Sequence, residues 1–376
     1  WEDFFNYFSE NLEPGTVLTI DEFPYLVEQN SSIPSYFQKF IDQYLDGKDM
    51  LMVLTGSSIG MMKDLMGYSN PLYGRRTGQI DLGPFKLRQV WRMLGDISFE
   101  KAVKHYSVFG GTPYYLAQID PEKTLLENIE REICRPTEIL SQEPEMLVRQ
   151  EFRTPSRYLS ILEAVSRGKT TPKHISDTTG IPQNSVPKYL NNLVKTRLLE
   201  KQLPVTEENK NSRRGRYRIK DSFMNFWFST ISPHRSDAEE NSHLFVKDHV
   251  KPEVPRFLGK KFEKVCQEFI MNSERWDVGS IGRWWYQEHE IDIVGTDTSE
   301  DRLLTGECKW KNRKTGSKTL RKLEEKTEHL RWHKKGRTTD YLLFSREGFT
   351  EGLEKTAESR EDVHLYSLDN MKPAFR

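Results

Sequence analysis

The stretch Glu290-Ile291-Asp292-Ile293-Val294-Gly295-Thr296-Asp297-Thr298-Ser299-Glu300-Asp301-Arg302-Leu303-Leu304-Thr305-Gly306-Glu307-Cys308-Lys309-Trp310 decides how this chain is read. Acidic and apolar residues alternate at its start, so in a strand Glu290 and Asp292 share one face while Ile291 and Ile293 share the other. The run from Leu303 to Trp310 reads as a second strand, and the same period sets Glu307 beside Lys309. Two adjacent strands then aim Asp292, Glu307 and Lys309 at one place. Phosphodiester hydrolysis needs such a set: carboxylates to hold Mg²⁺, the metal to activate water, and a lysine to orient the nucleophile or screen charge. The plainer alternative is a pair of half-exposed strands, which show the same alternation.

Working outward, Gly259-Lys260-Lys261-Phe262-Glu263 opens a helix with Val265, Cys266, Phe269 and Ile270 on its apolar side, and Glu263 completes the acidic set. Beyond Lys309, the stretch from Lys311 to Arg337 is densely basic and reads as mostly helical, fit either to track a DNA backbone or to form a solvated helix. Two more strands, around residues 341–344 and 363–366, flank a helix that begins near Phe349. The order of an acid, then Glu-x-Asp, then Glu-x-Lys resembles the PD-(D/E)xK nuclease superfamily over roughly residues 250–376. The resemblance implies catalytic roles for Glu263, Asp292, Glu307 and Lys309, with Mg²⁺ or Mn²⁺ on Asp292 and Glu307 and Glu290 as an accessory. Ile291 stands where that superfamily often has proline.

At the other end, Val17-Leu18-Thr19-Ile20 reads as a short buried strand that delivers Asp21 and Glu22 at its C-terminal end. Open α/β sheets bind ligands there. This is a Walker B pattern: the first acid holds Mg²⁺, directly or through water, and the second polarises the water that attacks the γ-phosphate. The next apolar run, Met50 to Leu54, ends in Thr55-Gly56-Ser57-Ser58, and Thr55 or Ser57 is placed to sense a γ-phosphate. Pro71-Leu72-Tyr73-Gly74-Arg75-Arg76 sets two guanidiniums in a loop, the chemistry that stabilises a transferring phosphoryl group.

With Leu82–Phe85 and Gly110-Gly111-Thr112-Pro113-Tyr114-Tyr115, this ordered set resembles the archaeal ATPase family of the P-loop/AAA+ class over roughly residues 1–200. The resemblance implies ATP as ligand and a phosphate-binding loop upstream of Asp21. Gly168-Lys169-Thr170 is not that loop, because Glu163 stands in place of its first glycine. The chain opens at Trp1 within an amphipathic pattern, and a segment ahead of it is expected.

The middle reads as a winged helix. Helical periods run through Tyr158–Val165, Pro172–Thr179 and Pro182 to about Arg197, and two strands follow around a basic tip. Lys188, Arg213, Arg214 and Arg216, with Lys311 further on, are the candidate nucleic-acid contacts. Packing between domains is the competing use of such a module.

The 376 residues, with 36% hydrophobic and 30% charged, suit two or three soluble domains. Residues 1–150 carry 14 basic against 22 acidic side chains, leaving 42 against 34 of the 56 of each, so a polyanion would be met by the basic rear. No apolar run spans a bilayer, so no membrane partner is expected. Cys134, Cys266 and Cys308 show no CxxC spacing, which points to a reducing, cytoplasmic setting. The expected architecture is α/β multidomain: a partial P-loop ATPase domain over 1–120, a helical lid or linker over 121–155, a winged helix over 156–232, a linker over 233–250 and a restriction-endonuclease-like domain over 251–376. The expected activity is ATP-regulated DNA binding with metal-dependent endonuclease cleavage. The alternatives are a non-cleaving nucleotide-dependent DNA clamp and an ATPase scaffold for a protein partner, with a homo-oligomer left open.

Overall fold

The computed structural model describes residues 1–376 except Asp46, Glu208, Lys210, Asn211, Arg213, Thr298 and Glu300. Arg213, one of the expected phosphate contacts, lies outside the described residues. By its contacts the chain divides into two units, residues 1–83 with 190–198 and residues 84–189 with 199–376.

The first unit is built on two parallel strands, β1 (Thr16–Ile20) and β2 (Met50–Leu54), paired in register from Thr16 with Met50 to Ile20 with Leu54. Phe5, Phe23, Phe37 and Phe40 form its core with Ile33, Leu65 and Leu72. Phe5 stacks on Phe40 at 4.4 Å and Phe23 meets the edge of Phe37 at 4.8 Å, so aromatic area does most of the burying. The helix Ile33–Phe40 supplies Phe37 and Phe40, and the helix Glu2–Glu10 supplies Phe5. β1 was expected to be buried, and it is not: Val17 is 61% exposed, as Leu51 is at 53% on β2. Alternation along β1 turns Leu18 and Ile20 to the half-buried side and Val17 and Thr19 away from it.

The second unit begins with helices Leu87–Leu94 and Phe99–Phe109. Glu268, 4% exposed and distant in sequence, ties them together. Its carboxylate accepts the Leu87 N–H at 3.1 Å and the Tyr106 hydroxyl at 2.5 Å, placing an anion at the start of the first helix. The two glycine motifs of this region also meet. The Gly111 carbonyl accepts the Phe85 N–H at 2.8 Å, and a Cβ on Gly111 would stand 1.9 Å from the Phe85 carbonyl oxygen. Only glycine allows that approach.

Helices Pro155–Ser166 and Pro172–Thr179 follow, the second closed by Gly180 in the left-handed conformation. The helix Val186–Lys195 comes next, and β3 (Leu199–Gln202) and β4 (Arg216–Ile219) then pair antiparallel. Residues 233–250, expected as a linker, are instead largely helical, with helices Arg235–Glu240 and Ser242–Phe245 and the helical turn Val246–Val250. Buried Ala238, Phe245, Val246 and Val250 give this polar stretch an inner face.

The long helix Lys251–Asn272 precedes a five-stranded sheet in the spatial order of the chain. β5 (Ser280–Tyr286), β6 (His289–Asp297) and β7 (Arg302–Lys309) are antiparallel neighbours. β8 (Thr338–Ser345) and β9 (Val363–Ser367) then add on parallel to β7. Parallel addition needs crossovers, and helices Ser317–Thr327 and Glu351–Ser359 supply them. Ile291, Val294, Leu303 and Leu343 pack with Leu320, Leu323 and Leu353 from those helices. The basic stretch 311–337 is helical only over Ser317–Thr327. Buried Leu330 and the left-handed His333 and Gly336 draw the rest into turns. No helix among the described residues is long and apolar enough to cross a membrane.

Gly111→Ala should cost about 3 kcal/mol, since the added carbon meets backbone rather than a movable side chain. Gly352→Ala, on a helix with nothing within 4 Å of the added carbon, should be neutral or slightly stabilising. Urea unfolding of the two variants side by side checks the contrast.

Candidate functional site

Glu263, Asp292, Glu307 and Lys309 line one cavity of about 300 Å³, together with Arg256, Lys260, Cys308 and Lys311. Three elements build it: the Lys251–Asn272 helix brings Glu263, β6 brings Asp292, and the end of β7 brings Glu307 and Lys309. The backbone N–H of Cys308 donates to Asp292 at 3.0 Å, locking the two strands' acids in place. Lys309 Nζ lies 2.5 Å from one oxygen of Glu307, and Lys326 Nζ lies 2.9 Å from the other. Arg283 bridges Glu263 at 3.0 Å and Glu290 at 3.4 Å. Glu290 therefore stands beside the acidic set, held by Arg283 and by Arg216.

The electrostatics separate the three acids. Burial, reinforced by the charge of Asp292, pushes the Glu263 carboxyl up to about 8, although Arg283 and Arg218 pull against it. Burial and the neighbouring Glu307 also raise Asp292, opposed by the Cys308 N–H and Lys309. Glu307 is buried too, yet Lys309 and Lys326 hold it below the usual carboxylate range. Lys309 is raised in turn, because Glu307 and Asp292 outweigh the cost of its own burial.

Sequence reasoning missed Lys326, Arg283 and Arg218. Lys326 sits on the crossover helix, where nothing but the basic character of the stretch distinguishes it. Arg283 lies in the aromatic strand β5, at the register shift between Gly282 and Trp284. Arg218 comes from β4, and burial with the nearby Arg283 lowers it to about 10.

Arg214 and Arg216, expected to touch phosphates, are turned onto β5. The Arg216 guanidinium lies 4.8 Å over the Trp285 ring and pairs with Glu290, and Arg214 lies 5.1 Å over Tyr286. The Val205 N–H donates to the Arg283 carbonyl at 2.9 Å and the Trp285 indole to the Arg214 carbonyl at 3.1 Å. The β3–β4 hairpin is thereby docked on the sheet. Lys188 remains exposed at the start of its helix, and Lys311 is exposed at the cavity.

In the first unit, β1 runs directly into Asp21 and Glu22. Thr55, just past β2, donates its hydroxyl to Asp21, and the Ser57 N–H and hydroxyl both reach Glu22, at 3.2 and 3.1 Å. Glu22 is left-handed, at φ 51° and ψ 40°, a conformation that costs a non-glycine residue energy and is common where side chains are aimed for function. Gly56 has no room for a side chain, because a Cβ there would stand 2.6 Å from Pro24 Cδ. Arg75 is engaged elsewhere. It grips Asp42 through two contacts of 2.7 Å and the Pro71 carbonyl at 2.9 Å, while Arg76 bonds Gln79.

Residues 1–119 match the family described as an ATPase domain predominantly from Archaea, and residues 227–325 match one described as archaeal and bacterial proteins of unknown function. The uncharacterized protein MJECL04 of Methanocaldococcus jannaschii is 34% identical over 320 residues, 84% of this chain and 71% of that protein. The chain belongs to the same family as MJECL04, with an archaeal ATPase domain matched over residues 1–119. The Walker-type ATPase PABY2304 of Pyrococcus abyssi is 22% identical, with a TM-score of 0.44 over 60% of this chain. The chain spans 65% of that structure's length. In this family member the match over 1–119 holds the Asp21–Glu22 acids, and the match over 227–325 holds the four residues of the cavity.

Glu263 yields a pH prediction for the metal-free protein. Folded, it keeps its proton up to about pH 8; unfolded, only to the ordinary 4.5. The folded state holds more protons in that window, so stability falls as pH rises through it, on the order of 3–5 kcal/mol in all. Denaturation in chelator at pH 5 to 9 should show this fall, and Glu263→Gln should flatten it.

Proposed function

We propose that this protein is an ATP-regulated DNA-binding protein whose second unit hydrolyses phosphodiester bonds with Mg²⁺ or Mn²⁺. The observation that carries the reading is the convergence of Glu263, Asp292, Glu307 and Lys309 on one cavity. The helix before β5, the antiparallel β5–β7 and the parallel β7–β9 give the order expected of a restriction-like nuclease domain, and the three helices with the β3–β4 hairpin give that of a winged helix. All three cysteines are free and buried, which agrees with a reducing cytoplasm.

The donor set suits a hard divalent cation. Three carboxylates line the cavity, Glu263 and Glu307 buried and Asp292 half-buried, and Glu263 is driven towards its neutral form by burial and by the charge of Asp292, an imbalance that a cation would relieve. Asp292 and Glu307 would hold the ion, with Glu263 contributing, and the ion would supply an activated water and charge stabilisation on the phosphoryl oxygens. Lys309 orients the nucleophile or screens charge, and Lys326 keeps Glu307 ionised. Arg256, Lys260 and Lys311 on the cavity wall offer cations to a phosphate backbone. That wall, rather than the docked hairpin arginines, is the DNA track of this reading.

In the ATPase domain, Asp21 would hold the Mg²⁺ of bound ATP, Glu22 would polarise the attacking water, and Thr55 and Ser57 would report the state of the γ-phosphate. Their hydrogen bonds to the two acids support that division. Arg75, held by Asp42, braces the loop at Pro71, and Arg76 is left as the guanidinium for phosphoryl charge.

One observation favours the non-cleaving clamp as a second reading: both oxygens of Glu307 are occupied by lysines. The deciding experiment incubates the full chain and Asp292→Ala with linear, branched and single-stranded DNAs in Mg²⁺ or Mn²⁺. Cleavage that falls by about 10²-fold or more in the variant, with DNA retention unchanged, supports the nuclease. Retention without metal-dependent cleavage in either protein identifies the clamp. Glu22→Gln should abolish ATP hydrolysis and make cleavage insensitive to ATP; cleavage already indifferent to ATP would sink the regulatory link.

A further inference from the structure

Away from the carboxylate cavity, residues 232–250 bring two imidazoles and a carboxylate together. His234 closes the single turn Ser232–His234, Asp237 lies on the helix Arg235–Glu240, and His249 lies on the turn Val246–Val250. One donor atom from each falls within 4.8 Å of the other two. We propose that His234, Asp237 and His249 form a binding site for a divalent transition-metal ion such as Zn²⁺, which staples this segment together. The proposal stands apart from the nuclease reading.

The geometry is close to what such an ion needs. Ligand atoms each about 2.0–2.1 Å from a tetrahedral ion stand about 3.4 Å apart. His234 Nδ1 and Asp237 Oδ2 are already at 3.6 Å, and the two imidazole rings lie 4.6 Å apart at 32°. Small side-chain rotations complete the set. His234 immediately precedes the Arg235–Glu240 helix and Asp237 lies in that helix's first turn, three residues on, and the intervening Ser242–Phe245 helix returns the chain so that His249 arrives beside them.

The rings are also held. Phe245, buried beneath, stacks on His249 at 5.2 Å and 20° and lies 6.5 Å from His234. Fixed rings lower the ordering cost of binding. The neighbouring cation, Arg235, is neutralised by Glu145 at 2.6 Å and Glu239 at 2.7 Å. His234 and Asp237 are half-exposed, so an ion has an entry path and keeps room for water as a further ligand.

Donor chemistry sets the class of ion. Imidazole favours Zn²⁺, Co²⁺, Ni²⁺ or Cu²⁺, whereas Mg²⁺ prefers oxygen and waters, as at the carboxylate cavity. The two sites would thus take different metals. An ion here would join the helix Arg235–Glu240 to the turn that runs directly into the Lys251–Asn272 helix carrying Glu263. Without an ion, the same residues make a surface pair and an aromatic stack.

The test uses metal-stripped full-length chain carrying Asp292→Asn, which weakens the carboxylate cavity while keeping its shape, in excess Mg²⁺. Co²⁺ is titrated and followed by its visible ligand-field spectrum, with Zn²⁺ in competition. The expected result is saturable binding that Zn²⁺ displaces and Mg²⁺ does not, with a rise in melting temperature. His234→Ala and His249→Ala should each weaken binding by about 10²-fold or more, and Asp237→Asn, on an exposed position that leaves packing intact, by about 10-fold. Absence of saturable Co²⁺ or Zn²⁺ binding overturns the proposal. So does binding that is unchanged by Asp237→Asn and by both histidine substitutions. Should a histidine variant fail to fold, Asp237→Asn decides alone.

Discussion

Three carboxylates, Glu263, Asp292 and Glu307, share one cavity, and the cost of withdrawing them from water side by side, with their mutual repulsion added, is the constraint around which the second unit is arranged. Buried charge is tolerated only where it is compensated. Compensation here is gathered from four directions: Lys309 on the same strand, Lys326 on the crossover helix, Arg283 on β5 and Arg218 on β4. It is uneven. Glu307 receives two lysines and stays ionised, whereas Glu263 shares its arginine with Glu290 and is driven towards its neutral form. The sheet order matters because it lets neighbouring strands and a flanking helix deliver these groups to one spot.

The first unit meets a different constraint. With two strands and short helices among its described residues, it relies on clustered phenylalanines for its core, and Asp21 and Glu22 follow the strand end beyond that core. Glu22 departs from ordinary backbone geometry, and Gly56 cannot accept a side chain. Both are local concessions that a rigid aromatic base makes tolerable.

Much of the cavity was legible in sequence because its strands alternate charged and apolar residues with period two, and Glu263 lies in a run of helical periodicity, although the helix begins at Lys251 and carries Gly259 and Glu263 in its middle rather than opening there. Lys326, Arg283 and Arg218 were not legible, since each reaches the cavity from a separate element and leaves no local pattern. The reading of Arg214 and Arg216 as phosphate contacts rested on charge alone, and charge does not reveal that Trp285 and Tyr286 lie opposite. Residues 233–250 looked like a linker because their apolar residues are sparse, and only tertiary packing shows that Ala238, Phe245 and Val250 suffice for an inner face. The exposure of Val17 was hidden for a related reason: a four-residue apolar run says nothing about how many of its faces are covered.

The docked hairpin has one more consequence, for solubility. β5 borders the five-stranded sheet, and a bare border strand offers unpaired amides and carbonyls to any other chain it meets. Val205 takes up the Arg283 carbonyl, Arg214 and Arg216 cap the adjoining rings with charge, and the register shift between Gly282 and Trp284 breaks the regularity of the strand. The hairpin thus shields the sheet's flank against intermolecular strand pairing, so a form of the chain in which it swung free would be exposed to self-association along that flank.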